Sequence, residues 1–115
     1  MKKAVLTIVF SLIVQFSFSQ VIVGETDVNK LDINYVQLIG VNTSIFGKKI
    51  KVYIDYGQPA KFFADPIKNS EGKAMKFNSM VHALNFMRKN NWKYKNYTEA
   101  MFNGKIRYVY LLEKE

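Results

Sequence analysis

The chain has 115 residues, no cysteine and a formal net charge of +8, from 17 Lys and Arg against 9 Asp and Glu. This length accommodates one small domain, and the lack of cysteine excludes disulfide staples, thiol catalysis and Cys-ligated zinc. Folded stability must therefore come from an aromatic-rich core. A basic chain attracts anionic polymers, but scattered lysines are also typical of an ordinary solvated surface, which we favour.

Residues 1–19 have the three-part layout of a secretory signal peptide. Two lysines precede an apolar run over residues 4–14, and Ser17-Phe18-Ser19 supplies small residues at the cleavage site. The run of about 11 residues fits a cleaved signal and falls short of the roughly 20 that span a bilayer. We predict cleavage before Gln20, export to the periplasm or the cell exterior, and no transmembrane span afterwards. A retained membrane anchor is the alternative.

After the signal peptide, we predict a lead-in segment over residues 20–33 and a single domain over residues 34–115. Asp27 in the lead-in is a predicted N-cap for one helical turn, although we expect this segment to be the least ordered part. Residues 34–41 and 49–56 predict two strands joined as a hairpin, and the second of them alternates between apolar and polar side chains.

The middle of the chain contains one clear helix. Residues 61–67 predict an extended segment, which Pro66 restricts to a sheet edge or an irregular stretch. The helix is expected to begin after Asn78 or Ser79 and to end near Asn90, where asparagine favours a left-handed cap.

Helical periodicity predicts which face of this helix is buried. At 100° per residue, the following residues lie along one side of the helix, which is predicted to be buried: Phe77, Met80, Val81, Leu84, Met87 and the stem of Arg88. His82 and Phe86 are expected on the opposite, outward side.

Residues 92–97 and 105–112 predict a final pair of strands, with Asn103-Gly104 as a tight-turn signal between them. Both faces of the last strand are largely apolar, which predicts a central position in the sheet. The order of elements predicts a two-layer α+β fold, in which an antiparallel sheet of about four to five strands carries one main helix on one face.

Three stretches resemble a known group of proteins: 52–58 (VYIDYGQ), 68–92 (KNSEGKAMKFNSMVHALNFMRKNNW) and 108–114 (YVYLLEK). In these stretches the chain resembles small exported proteins of Bacteroidetes-type bacteria, and the similarity covers most of the chain after the signal peptide. The resemblance implies a bacterial source and export, and it implies no activity.

No catalytic, cofactor or metal-binding motif stands out. His82 is the only histidine, and catalysis or metal binding needs partner residues that the sequence does not place beside it. Asp55, between Tyr53 and Tyr56, is either a general acid held by tyrosines or an outward residue paired with a lysine, and we favour the ion pair. We therefore predict no catalytic residue, no metal and no cofactor.

The last two strands interleave aromatic and basic side chains, a pattern that some domains use to stack nucleobases or sugars. Ordinary alternation, with rings in the core and cations in water, explains the same pattern, and we favour it. If this surface does bind, the candidate residues are Trp92, Tyr94, Lys95, Arg107, Tyr108 and Tyr110. His82 with Phe86 is a second candidate for contact with a partner.

We predict a non-enzymatic binding or interaction module of the cell envelope, with an envelope glycan or protein as partner. Export argues against nucleic acid. The alternative is a small hydrolase or inhibitor-type protein with a shallow site near Asp55. A third interpretation, a cytoplasmic nucleic-acid binder, requires residues 1–19 to belong to the folded structure. A concave pocket with converging polar groups favours an enzyme, and a flat aromatic patch favours a binding module.

Overall fold

A computed structural model of the chain describes residues 19–43, 50–61 and 63–115, and for Phe102 it describes the backbone only. The predicted signal peptide, apart from Ser19, lies outside the described residues. Most of the predicted hairpin loop, over residues 44–49, also lies outside them.

The described residues form an α+β fold, as predicted, with two antiparallel sheets and one α-helix. The strands are β1 (Ile22–Val23), β2 (Thr26–Asp27), β3 (Tyr35–Asn42), β4 (Ile50–Asp55), β5 (Ile67–Lys68), β6 (Trp92–Phe102) and β7 (Lys105–Lys114). The α-helix, α1, is Met80–Lys89, and a 3₁₀ turn, Val28–Lys30, follows β2.

The larger sheet has the strand order β4-β3-β7-β6, with all neighbours antiparallel. The prediction that the last strand is central is confirmed, because β7 lies between β3 and β6. Leu38 of β3 lies opposite Ile54 of β4 and Tyr110 of β7. Opposed residues share a face of the sheet, and Leu38 and Ile54 place the hydrophobic core on this face.

A second, three-stranded sheet with the order β2-β1-β5 differs from the predicted single sheet. Residues 20–33, predicted as a lead-in, supply two of its strands, and Val23 lies opposite Ile67 of β5. Val21, Val23 and Val28 have almost no exposed surface and belong to the hydrophobic core. Strands of two residues carry too little periodicity to be recognised in a sequence, because alternation becomes visible over four residues or more.

Local signals at the ends of elements are confirmed. Oδ1 of Asp27 accepts the N–H of Asn29 (3.1 Å) at the 3₁₀ turn, and Oγ of Ser79 accepts the N–H of His82 (3.2 Å) at the start of α1. The Asn103-Gly104 turn between β6 and β7 has φ values of 52° and 73°. Positive φ at both central residues is what a type I′ hairpin turn requires.

The buried face of α1 is shifted from the predicted stripe. Met80, Ala83 and Met87 are buried, whereas Val81 is 64% exposed. The reason is a close contact with the sheet, because the sulfur of Met80 occupies the space that a side chain at Gly40 of β3 would fill. This contact fixes the rotation of the helix, and the prediction that Val81 is buried is therefore wrong.

We expect Gly40→Ala to destabilise the protein by about 1–3 kcal/mol, because the added methyl group displaces Met80 from a packed position. Urea denaturation, followed by the fluorescence of the single tryptophan, measures the free energy of unfolding. In a Met80→Ala background the same substitution is expected to cost much less. Gly72→Ala, at an open turn position with φ of 79°, is the control and should cost the same in both backgrounds. Equal costs of Gly40→Ala in the two backgrounds would contradict the close contact.

Candidate binding surface

The helix crosses one face of the larger sheet, from Gly40 of β3, which Met80 contacts, to the start of β6, and the half that β6 and β7 form beyond it stays open. The 10 residues of α1 extend over about 15 Å, whereas the 11 residues of β6 extend over roughly 36 Å. Exposure accordingly rises along the helix-bearing face, from 1% at Trp92 to 57% at Tyr94. The half of this face beyond the helix is the candidate binding surface.

Four tyrosines lie together on this open half, and we name them the tyrosine patch: Tyr94, Tyr97, Tyr108 and Tyr110. Tyr94 lies opposite Leu112 and Tyr97 lies opposite Tyr110, with a register shift in β6 directly after Tyr94. Such a β-bulge adds one residue to a strand, so residues three apart share a face. Tyr108 lies opposite Glu99, which places that carboxylate at the border of the patch.

The rings of the patch contact one another around Tyr110. The ring centroids of Tyr97 and Tyr110 are 4.5 Å apart, and those of Tyr94 and Tyr110 are 6.3 Å apart in an edge-on arrangement. Both distances are within or close to the range of favourable aromatic pairs. Tyr94 is exposed and the other three rings are half-buried. The patch therefore presents aromatic surface to solvent, and the contacts between its rings hold that surface in place.

Glu99 determines the electrostatics of the patch. The hydroxyl of Tyr97 donates to Oε1 of Glu99 at 2.6 Å. This hydrogen bond, together with a smaller contribution from burial, raises the pKa of Tyr97 well above its ordinary value. Burial is the main cause that raises the pKa of Tyr110. Both phenols are therefore neutral at physiological pH.

Trp92, one of the candidate binding residues, belongs to the core, in agreement with the favoured interpretation that places rings of these strands in the core. The residue is 1% exposed, and Nε1 donates to Oδ1 of Asn29 at 2.6 Å. Nζ of Lys114 lies 5.6 Å from the ring centroid and donates to the backbone carbonyls of Asn29 and Leu31. The 3₁₀ turn and the end of β7 thus enclose the ring.

The basic residues predicted to accompany the tyrosines lie on the opposite face of the sheet. Nζ of Lys95 is 3.4 Å from a carboxylate oxygen of Glu113. Arg107 lies opposite Val41, and alternation along β7 places it on the face away from Tyr108. Rings and cations occupy alternate positions in the strand and lie on two different faces, which is the ordinary alternation that the sequence interpretation favoured.

His82 and Phe86 also differ from their predicted outward positions. The ring of Phe77 lies 5.3 Å from that of His82 and 5.6 Å from that of Phe86. Nδ1 of His82 accepts the N–H of Asn78 at 3.1 Å, and both phenylalanines pack against the core. The residues just before α1 fold over these side chains, so His82 and Phe86 are half-buried.

The opposite face of the larger sheet carries a cleft of about 550 Å³, between strands β3, β4 and β7 and a wall formed by residues 58–61, 64 and 65. Asp55 lines this cleft, and its Oδ1 accepts the N–H of Gly57 at 2.9 Å. The residue that faces Asp55 in β3 is Gln37, where the sequence interpretation favoured a lysine partner. Asp55 therefore caps the turn that ends β4.

Sequence reasoning missed Tyr97 and Glu99 as parts of a site. Strict alternation from Trp92 places both residues on the face away from the helix, and the β-bulge reverses that assignment. Asn96 carries the signal that marks the irregularity, because its Oδ1 accepts the neighbouring N–H of Tyr97 at 2.8 Å. Asparagine side chains compete in this way with the regular ladder of a strand.

Among the described residues, no group of three or more His, Asp or Glu side chains is placed to hold a metal ion. Within the same part of the chain, no helix has the length and the apolar character to cross a membrane. No family model matches the chain, and neither the curated proteins nor the solved structures give a significant match. Function must therefore be inferred from the geometry of the tyrosine patch and of the cleft.

We expect Tyr97 to ionise at a higher pH than the exposed tyrosines, since losing its proton breaks the hydrogen bond to Glu99. Glu99→Gln is expected to lower the pKa of Tyr97, and Tyr97→Phe should remove one late-ionising phenol from an alkaline absorbance titration. The pKa of Tyr97 is higher in the folded state than in the unfolded state. The hydrogen bond to Glu99 therefore contributes fully to the free energy of unfolding below about pH 10, the pKa of an unfolded tyrosine. That contribution is lost as the pH rises through the folded-state value. An unchanged titration curve in Glu99→Gln would contradict this assignment.

Proposed function

We propose that the protein is an exported, non-enzymatic binding module that uses the tyrosine patch to bind an envelope glycan. One observation carries this proposal: the partly exposed, mutually contacting rings on the half of the sheet beyond α1. Contiguous aromatic surface on a folded domain is a mark of an interaction site. The bulge in β6 supports the same conclusion, because it brings Tyr97 to the face where Tyr94 and Tyr110 already lie.

The chemistry of the patch suits a sugar chain. The apolar C–H faces of pyranose rings stack on flat aromatic surfaces, and tyrosine adds a hydroxyl group that can donate or accept a hydrogen bond. Glu99 supplies a carboxylate acceptor beside the rings. Lys95 and Arg107 lie on the other face, away from the patch, which makes a phosphate-rich polymer such as nucleic acid a poor fit.

The proposed compartment is supported by residues 1–19, whose positive start, short apolar run and small residues follow the layout of a cleaved signal. The resemblance to small exported proteins of Bacteroidetes-type bacteria agrees with this compartment. Burial of the core around Trp92 and Leu38 supports a domain that is stable without disulfides.

A second candidate function, a small hydrolase with a site near Asp55, is favoured by the concave shape of the cleft, which both Asp55 and Asp65 line. Glycoside hydrolysis requires two carboxyl groups that flank the scissile bond. Asp55 accepts the N–H of Gly57, and Asp65 forms an ion pair with Lys61 at 2.9 Å, so both carboxylates act as acceptors and neither is placed as the proton donor that glycoside hydrolysis also needs. We therefore propose binding in preference to catalysis.

Co-sedimentation with purified peptidoglycan sacculi tests glycan binding. We expect wild type to sediment and Tyr94→Ala to bind about fivefold less tightly or worse, because a central aromatic contact contributes about 1 kcal/mol or more. Tyr35→Ala is the matched control, since it removes a ring that is 52% exposed on the opposite face, compared with 57% for Tyr94. Circular dichroism of both variants confirms that they fold.

Three results would overturn the glycan proposal. The first is that wild type stays in the supernatant, and the second is that Tyr35→Ala loses as much binding as Tyr94→Ala. The third is binding that disappears when the sacculi are stripped of protein, which assigns the patch to a protein partner instead.

Export is tested by fractionating the source cells and determining the first residue of the protein. We expect the protein in the periplasm or the medium, with Gln20 as its first residue. Recovery from the membrane with Met1 intact would instead establish a retained anchor. Recovery of the intact chain from the cytoplasm would exclude export.

A further inference from the structure

We infer that the cleft on the opposite face of the larger sheet is a second binding site, for short, extended, apolar peptides with free amino and carboxyl ends. Apart from Ile54, whose side chain belongs to the core, its strand residues are Ile39, Val41, Lys51, Tyr53, Asp55 and Arg107. Alternation places these side chains on the face away from the tyrosine patch, so the inference is independent of the proposed glycan site. A volume of about 550 Å³ lies within the range of sites for small ligands.

One end of the cleft carries two cations. Lys51 of β4 and Arg107 of β7 both lie opposite Val41 of β3, one on each side of it. Their backbones are therefore about 10 Å apart, two strand spacings, and long side chains of this kind reach a common ligand between them. A carboxylate is a suitable ligand, because charge-assisted hydrogen bonds from Arg and Lys to carboxylates are about twice as strong as neutral ones.

The middle of the cleft is apolar. Ile39 of β3 and Tyr53 of β4 line the next row of the cleft, and Val109 of β7 lies beside Ile39 outside the residues that line it. Ile39 is 8% exposed, and its two neighbours are half-buried. This floor suits small apolar side chains of a bound peptide, which gain free energy when they leave water.

The other end of the cleft carries two carboxylates. Asp55 lies two residues beyond Tyr53 on the same face, and Asp65 is on the wall. The N–H of Gly57 orients the carboxylate of Asp55 (2.9 Å), and an ionised carboxylate has further acceptor positions for an ammonium group. Asp65 lines the cleft from its wall, where its carboxylate lies close to Gly24 and forms the ion pair with Lys61.

The spacing of the charged ends determines the length of the ligand. Lys51 and Asp55 are four residues apart in one strand, a separation of about 13 Å. An extended peptide of about four residues has the same length. A zwitterionic peptide meets an opposite charge at each end of the cleft, whereas a ligand with the same charge at both ends meets repulsion at one of them.

Isothermal titration calorimetry with the tetrapeptide Ala-Val-Ala-Val, its C-terminal amide and its N-acetyl form tests this inference. Wild type is expected to bind the free peptide, and each blocked form about tenfold more weakly, because one charged contact is lost. Lys51→Gln and Arg107→Gln are expected to weaken binding of the free peptide and to have little further effect on the amide. Lys89→Gln, at an exposed lysine of α1, is the matched control and should bind as wild type does.

The inference fails if wild type gives no binding heat with the free peptide, or if the amide binds as tightly as the free peptide. It also fails if the folded Lys51→Gln variant binds as wild type does. Thermal unfolding of each variant separates loss of the site from loss of the fold, and Lys51→Gln serves alone if Arg107→Gln does not fold. Tyr94→Ala should bind the peptide normally, so a failed glycan experiment and a failed peptide experiment are distinguishable.

Discussion

The burial of Trp92 joins the parts of this domain that are far apart in the chain. Its indole N–H binds the side chain of Asn29 in the N-terminal segment, and Nδ2 of Asn29 donates to the backbone carbonyl of Asn90 at the end of the helix (3.0 Å). Lys114, in the last strand, places its Nζ over the indole ring of Trp92. Without disulfides, this convergence of the N-terminal segment, the helix and the last hairpin on one side chain provides the cross-links of the fold.

The same arrangement determines which surface is left open. Because β6 begins at Trp92, the helix that precedes it ends beside the start of that strand, and its first residue, Met80, lies on Gly40 of β3, so the helix does not follow β6 to its far end. The face beyond the helix is consequently exposed, and tyrosines occupy it. Among the described residues no helix packs on the other face, and residues 58–61, 64 and 65 lie beside part of it. One sheet thus carries an aromatic surface on one side and a charged cleft on the other.

The sequence predicted features that depend on nearby residues. The caps at Asp27 and Ser79, the Asn103-Gly104 turn and the central position of β7 all follow from local signals of this kind. Features set by distant contacts were not predictable. The rotation of α1 depends on Met80 meeting Gly40, 40 positions earlier in the numbering, and the short strands of the second sheet exist because their partners come from far along the chain.

The candidate site was predictable only in part, for a related physical reason. The tyrosines of the last hairpin and their separation from Lys95 and Arg107 follow from simple alternation in the sequence, but the position of Tyr97 and Glu99 does not. One bulge after Tyr94 then reverses the face of every later residue in β6, which a pattern of alternation cannot reveal.

The anchored N-terminal end has its own consequence. Val21 has no exposed surface, and Gln20 donates its N–H to Oδ1 of Asn90 at 3.1 Å. A peptidase requires several accessible residues around the bond that it cuts. Under the export proposal, processing must therefore precede folding, while the chain is still emerging from the translocation channel.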